Sequence, residues 1–348
     1  TMARISLKYI GLVKTLLLMC SCVVSSCLFL IAASGAEGKE THPPNKTEKH
    51  WVSTVFDNFT SAADALQWSD IRVVSNWRIQ QHAQSKTYRV LNLNDQVVAE
   101  GTLDLCSRHF SKLIKDGDID PFVGNKAVIV IHGLGEGRSA MKPLVTYLQD
   151  NMAASIMTFG YASPQATLAA HAHALGKVLA GLPPTTAVSF VGHSMGNLVV
   201  RRWLQNAQPE MIGRVNRMVM LGPPNQGSDL ARLAAHNHWL KTLASGAAGE
   251  LVLHWDTIRH ELQIPPFEYG IIAGGKGDNE GYSSILEGDD DAIVRVSETK
   301  LSGADGFLII PVRHSRMMRN SDVQKETLNF LQEGRFAKST YGTKIPEK

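Results

Sequence analysis

The pentapeptide Gly192-His193-Ser194-Met195-Gly196 sets a serine between two glycines, each two residues away. A serine hydroxyl is a poor nucleophile until a base removes its proton, and the base needs an acid to orient it. The setting that best exposes such a hydroxyl is a sharp turn from a strand into a helix. At the helix N-terminus, the dipole and free N–H groups favour the negative charge that develops during attack. Flanking glycines let neighbouring backbone approach that turn without a clash. A second short motif, His132-Gly133-Leu134-Gly135, lies upstream at the end of a β-branched run. Candidate bases beyond Ser194 are His236, His238, His254, His260 and His314, and the candidate acids are the adjacent Asp289, Asp290 and Asp291. Three neighbouring carboxylates repel one another, so at most one is expected to point inward; read plainly, the run is a solvated or cation-binding loop.

These residues need elements to carry them. Residues 127–131 form a continuous β-branched and apolar run, as expected of a strand buried on both faces. Further strands are expected at 155–159, 187–191, 215–221, 271–273 and 307–310. Helices are expected at 141–152, 166–182, 198–205 and, closing the domain, 322–332. Such alternation implies a mostly parallel sheet covered by helices on both faces. Ser194 then falls between a buried strand and a helix. His314 follows a strand and precedes the last helix.

On the His132–Gly135 and Gly192–Gly196 motifs, on Gly222-Pro223-Pro224-Asn225-Gln226-Gly227-Ser228, on Asp291-Ala292-Ile293-Val294 and on His314, the chain resembles the α/β-hydrolase superfamily. Within it, the chain is similar to the lipase-like branch that includes bacterial triacylglycerol lipases and the GPI inositol-deacylase-like proteins. The resemblance spans about residues 126–335 and implies the chain order serine, acid, histidine. His254 and His260 precede the acid, His236 and His238 fall in a lid-like region, and His314 is in place as the base. Asp291 is favoured as the acid and Asp290 is the second choice; Ala292 stands where the family often has glycine, which leaves the choice among Asp289, Asp290 and Asp291 open. The N–H groups of Leu134 and Met195 would bind the oxyanion, and His132 reads as structural. The implied chemistry is ester hydrolysis through an acyl-enzyme, without cofactor or metal. The alternatives are an acyltransferase on the same scaffold and a non-catalytic binding protein that keeps the fold.

The rest of the chain bounds this reading. With 348 residues, 44% of them hydrophobic and 19% charged, it has the composition of an ordinary globular protein. A net charge of +3 with scattered basic residues gives no footprint for nucleic acid. Arg4, Lys8 and Lys14 precede an apolar stretch at 15–33 and then Ser34-Gly35-Ala36. This is the layout of a secretory signal, long enough to serve as an N-terminal anchor, and Val24-Ser25-Ser26-Cys27 is similar to a lipoprotein box. Each option places the body outside the cytoplasm, with a small-molecule or lipid ester as substrate and a membrane or lipid surface as an associate. Three of the four cysteines, Cys20, Cys22 and Cys27, lie in this segment, which leaves Cys106 without a disulfide partner in the body. The expected organisation is a signal or anchor at 1–36, a linker at 37–50, a small β-rich extension at 51–120, the α/β-hydrolase domain at 121–336 and a tail at 337–348. Residues 229–264, where Leu230, Leu233, Trp239, Leu240, Leu243, Leu251, Leu253 and Trp255 are apolar, read either as helices packed on the core or as a cap or lid that shields an acyl-chain pocket.

Overall fold

The computed structural model describes residues 64–121, 124–229 and 246–337. Trp68–Val74 (β1), Trp77–His82 (β2), Tyr88–Leu91 (β3) and Val97–Gly101 (β4) form an antiparallel meander in the order β1-β2-β3-β4. Leu103–Asp116 (α1) covers one face of it. Thr102 caps α1 by accepting the Leu105 N–H, and Gly117 ends it with φ 88°. Ile71, Val74, Ile79 and Val90 of the sheet pack with Cys106 and Phe110 of the helix as a small separate core. The β-rich expectation for this region overlooked α1, although Cys106, Phe110, Leu113 and Ile114 already carry helical spacing. It also overlooked β1, where the buried Asp70 interrupts the apolar pattern.

The larger sheet contains Lys126–Ile131 (β5), Ser155–Phe159 (β6), Ala187–His193 (β7), Val215–Leu221 (β8), Glu268–Gly275 (β9) and Gly306–Pro311 (β10). Its order is β10-β9-β8-β7-β5-β6, and every neighbouring pair is parallel. Side chains alternate faces along each strand. Ile129 and Ile131 thus enter one core with Lys142–Asn151 (α2) absent from it, while Val128 and Val130 enter the other, where Leu144 and Leu148 of α2 lie. Leu168–Ala180 (α3) and Met195–Leu204 (α4) fill the first face, joined by Ala247 of Gly246–Leu253 (α5). Ser321–Glu333 (α6) shares the second face with α2, and Asn320 caps it by accepting the N–H groups of Asp322 and Val323.

The chain leaves β5 for β6 on one side and returns to β7 on the other, so the loops after β5 and β7 face the same crevice at the carboxyl ends of the strands. Open α/β sheets bind ligands at such a switch point. In the region read as a cap, Trp255, Ile258 and Leu262 join the first core, as ordinary packing requires. The remaining cap residues at 230–245, His236 and His238 among them, lie outside the described residues. The signal or anchor, the linker, residues 51–63 and the end of the tail lie outside them as well. Among the described residues no helix is long and apolar enough to cross a membrane.

Candidate active site

Ser194 sits between β7 and α4 with φ 52° and ψ −124°, a backbone region that non-glycine residues rarely occupy. Helix α4 begins at Met195, three residues before the sequence pattern suggested, and this brings the serine directly to its N-terminus. The Ser194 N–H donates to Leu221 O at 2.9 Å, and Asn197 Nδ2 donates to Ser194 O at 2.9 Å. These bonds hold the strained turn from both ends. The glycine two residues on has a packing reason. A Cβ on Gly196 would stand 2.6 Å from His132 O and 2.7 Å from Ile131 O, so any side chain there would push α4 away from the end of β5.

The loop after β5 leaves one peptide N–H open and ties down its neighbours. Gly133 N–H donates to Glu136 Oε2 at 2.8 Å, Tyr161 Oη donates to His132 O at 2.7 Å, and Gly135 N–H donates to Ser163 Oγ at 3.0 Å. Tyr161 N–H donates to His132 Nε2 at 3.3 Å, so the His132 ring proton belongs on Nδ1, which lies 2.9 Å from Gly133 O. Burial pushes His132 down to about 4, and the ring, stacked on Tyr161, is a neutral structural group. The peptide between Gly133 and Leu134 is therefore fixed by its carbonyl, while the Leu134 N–H has no partner among the described residues. The Met195 N–H, first in α4, has no acceptor within the helix. A Cβ on Gly133 would lie 3.0 Å from Ser194 Cβ, so this loop and the serine are immediate neighbours.

Asp291 follows β9 and His314 follows β10. Asp291 Oδ2 lies 2.6 Å from His314 Nδ1, and Asp291 Oδ1 accepts the N–H groups of Ile293 at 3.0 Å and Val294 at 2.8 Å. The His314 N–H also donates to Asp291 O at 2.8 Å. Both side chains are buried. The three adjacent carboxylates diverge. Asp289 accepts the N–H groups of Lys276 and Gly277. Asp290 accepts those of Ser283 and Ala292, and burial raises its carboxyl above the ordinary range. Only Asp291 meets a histidine. Burial opposes a charge on His314, but the Asp291 carboxylate, its hydrogen bond and the charge on Glu136 together raise this imidazole above its ordinary value. His254 and His260 are exposed.

The His314 ring packs against that of His193, the residue before Ser194, with centroids 4.6 Å apart. His193 Nδ1 in turn lies 2.9 Å from Glu136 Oε2, the oxygen that accepts the Gly133 N–H. Burial would raise the Glu136 carboxyl, yet His193, the Gly133 N–H and His132 hold it well below the usual carboxylate range. The sequence reading did not single out Glu136 or His193. No spacing rule brings residues 57 positions apart together, and the only hint is that His193 lies inside the Gly192–Gly196 motif and Glu136 directly follows His132–Gly135. Among the described residues no group of three or more His, Cys, Asp or Glu side chains converges as a metal site.

A wholly parallel sheet in this strand order, a strained serine between β7 and α4, and an acid and a histidine delivered from the ends of β9 and β10 define the α/β-hydrolase fold. No family model matches the chain, and no curated protein matches it. Among solved structures it is similar to the Bacillus licheniformis lipase BlEst2 in its propeptide form, at 20% identity and a TM-score of 0.48. That match covers 55% of this chain and 47% of the lipase, so the chain spans about half its length. The mature form of the same lipase matches at 20% identity and a TM-score of 0.46, over 61% of this chain and 92% of that one. Phospholipase PlaB from Legionella pneumophila matches at 17% identity and 0.45, over 61% and 57%.

Proposed function

We propose that the chain hydrolyses carboxylic esters, acyl or lipid esters above all, through a covalent acyl-enzyme on Ser194. His314 takes the serine proton at Nε2, and Asp291 holds Nδ1 and stabilises the imidazolium that forms. The carbonyl oxygen of the ester becomes an oxyanion on the N–H groups of Leu134 and Met195. Collapse of this intermediate expels the alcohol, which takes the proton from His314. Water, deprotonated by the same imidazole, then releases the acid and restores the serine. The observation that carries this reading is the buried 2.6 Å pair of Asp291 and His314, packed against the residue beside a serine in a strained turn. The basic start and apolar stretch at 15–33 support a site of action outside the cytoplasm, at or near a membrane or lipid surface.

A fluorophosphonate probe should label the wild type and leave Ser194→Ala unlabelled; labelling that survives the substitution removes the serine assignment. A chain-length series of p-nitrophenyl esters, run with and without emulsified triglyceride, then separates a short-chain esterase from a lipase. Fractionation of cells that express the full chain tests the location, and activity confined to the cytosol would contradict it.

A further inference from the structure

We propose that the four-stranded N-terminal sheet is the support that sets the oxyanion loop, acting through the buried Asp70 carboxylate and the segment 160–163; the proposal rests on the ester-hydrolase reading above. Asp70 is fully buried in β1. Its Oδ2 accepts from Arg78 Nη1 and from the Gly160 N–H, each at 2.7 Å, and its Oδ1 accepts from Gln80 Nε2 at 2.8 Å. Its own N–H donates to Gly160 O at 2.8 Å, so Asp70 grips both sides of one glycine. Ser69 Oγ accepts the Ala162 N–H at 3.0 Å. The gripped segment carries Tyr161 and Ser163, the two side chains that bond His132 O and the Gly135 N–H. The bonds thus run without a gap from β1 through 160–163 to the peptides on either side of the Leu134 N–H.

A second tie crosses the same point. Arg138, just beyond the oxyanion loop, lies across Gly160, where a Cβ would stand 2.8 Å from its Cδ. Its guanidinium ends 2.9 Å from Asp95 Oδ1 in the turn between β3 and β4. The sheet therefore holds the oxyanion loop from β1 and again from its β3–β4 turn. Apolar packing resists separation but tolerates sliding, whereas a buried ion pair with directional backbone bonds specifies one position at a cost in desolvation. A donor that must meet a developing oxyanion needs such a fixed position, since small misplacements forfeit much of the rate.

Asp70 and Ser163 are on this view positioning residues, and three variants test it: Asp70→Asn, Ser69→Ala and Ser163→Ala. Each is assayed on a p-nitrophenyl ester below its own thermal midpoint, with Ser194→Ala as control. The expected result is a fall in kcat of about tenfold or more for Ser163→Ala and for Asp70→Asn, with KM within about twofold and the acid limb of the pH profile unmoved. Affinity for a boronic acid that forms a tetrahedral adduct should fall in step with kcat. Ser69→Ala removes one of the ties and should fall between these variants and the wild type. If Asp70→Asn does not fold, Ser163→Ala and Ser69→Ala decide. Wild-type kcat in the folded variants, with only the melting midpoint lowered, would reduce the sheet to packing. Hydrolysis that persists in Ser194→Ala would instead overturn the reading on which the proposal stands.

Discussion

Asp291 Oδ2 faces His314 Nδ1 across 2.6 Å, while the side chains of Asp289 and Asp290 close backbone turns instead. Asp291→Asn would keep the shape and lose the charge that fixes the tautomer, so kcat on a p-nitrophenyl ester should fall by roughly 10⁴. Asp289→Asn should stay within about tenfold of the wild type at the same pH. Equal losses in the two variants would show that the loop matters only as structure.

A side chain at Gly133 would be tight against the site: a Cβ would stand 3.0 Å from Ser194 Cβ and 3.1 Å from Glu136 Oε2, so its neighbours would have to give by a few tenths of an ångström. Gly133→Ala should displace the loop from the serine and lower kcat by about 10² or more, comparable to loss of one oxyanion donor. Steady-state kinetics on a soluble ester would show it, and unchanged kcat would place the oxyanion elsewhere.

Glu136 joins the loop after β5 to the turn that holds Ser194, and its negative charge also favours the protonated form of His314. In Glu136→Gln the imidazole should lose its proton at lower pH. The acid limb of kcat/KM should therefore move to lower pH, while the plateau falls because the loop is held less firmly. A limb that moves upward, or does not move, would show that this carboxylate has no electrostatic part in the reaction.

Burial lowers His132 to about 4 and His171 to about 3, so the fold holds both rings neutral. The unfolded chain binds their protons first, near the ordinary value of about 6.5. Stability from these rings is thus complete above that pH and is lost as the pH falls from about 6.5 toward 4 and 3, by about 3 kcal/mol for His132 alone. His314 has the opposite sign: it contributes stability below its ordinary value and loses it as the pH rises through its raised folded value. The thermal midpoint should therefore drop between pH 6.5 and 5, before most carboxylates titrate. A flat midpoint across that window would contradict the neutral assignment.

Ala292 adopts φ 84° directly after Asp291. An alanine is strained there and a glycine is not, so Ala292→Gly should be neutral or stabilising by up to about 1 kcal/mol, with activity kept. Denaturant unfolding would measure it, and a clear loss of stability would mean that the Ala292 methyl makes a contact worth more than the strain.

The alternation of apolar runs and helical patterns carried the layered architecture, because burial on both faces of a parallel sheet leaves a signature in each strand by itself. The strand-to-helix setting of Ser194 was likewise local, and so it could be read from a dozen residues. The small N-terminal sheet was read only in part. Asp70 looks like an error in an apolar strand until its partners at Gly160 and Arg78 are seen, and α1 was passed over within a region read as β.

Local pattern therefore determined the layers, the turn at Ser194 and the set of residues able to act. Tertiary structure alone decided which carboxylate turns toward His314, that Glu136 clasps both His193 and the Gly133 N–H, and that β1 reaches the loop after β5 by way of Gly160, Tyr161 and Ser163. The reason is physical. Periodicity records which face of an element is buried, whereas a hydrogen bond between residues dozens of positions apart depends on where two loops end, and no single stretch of chain encodes that.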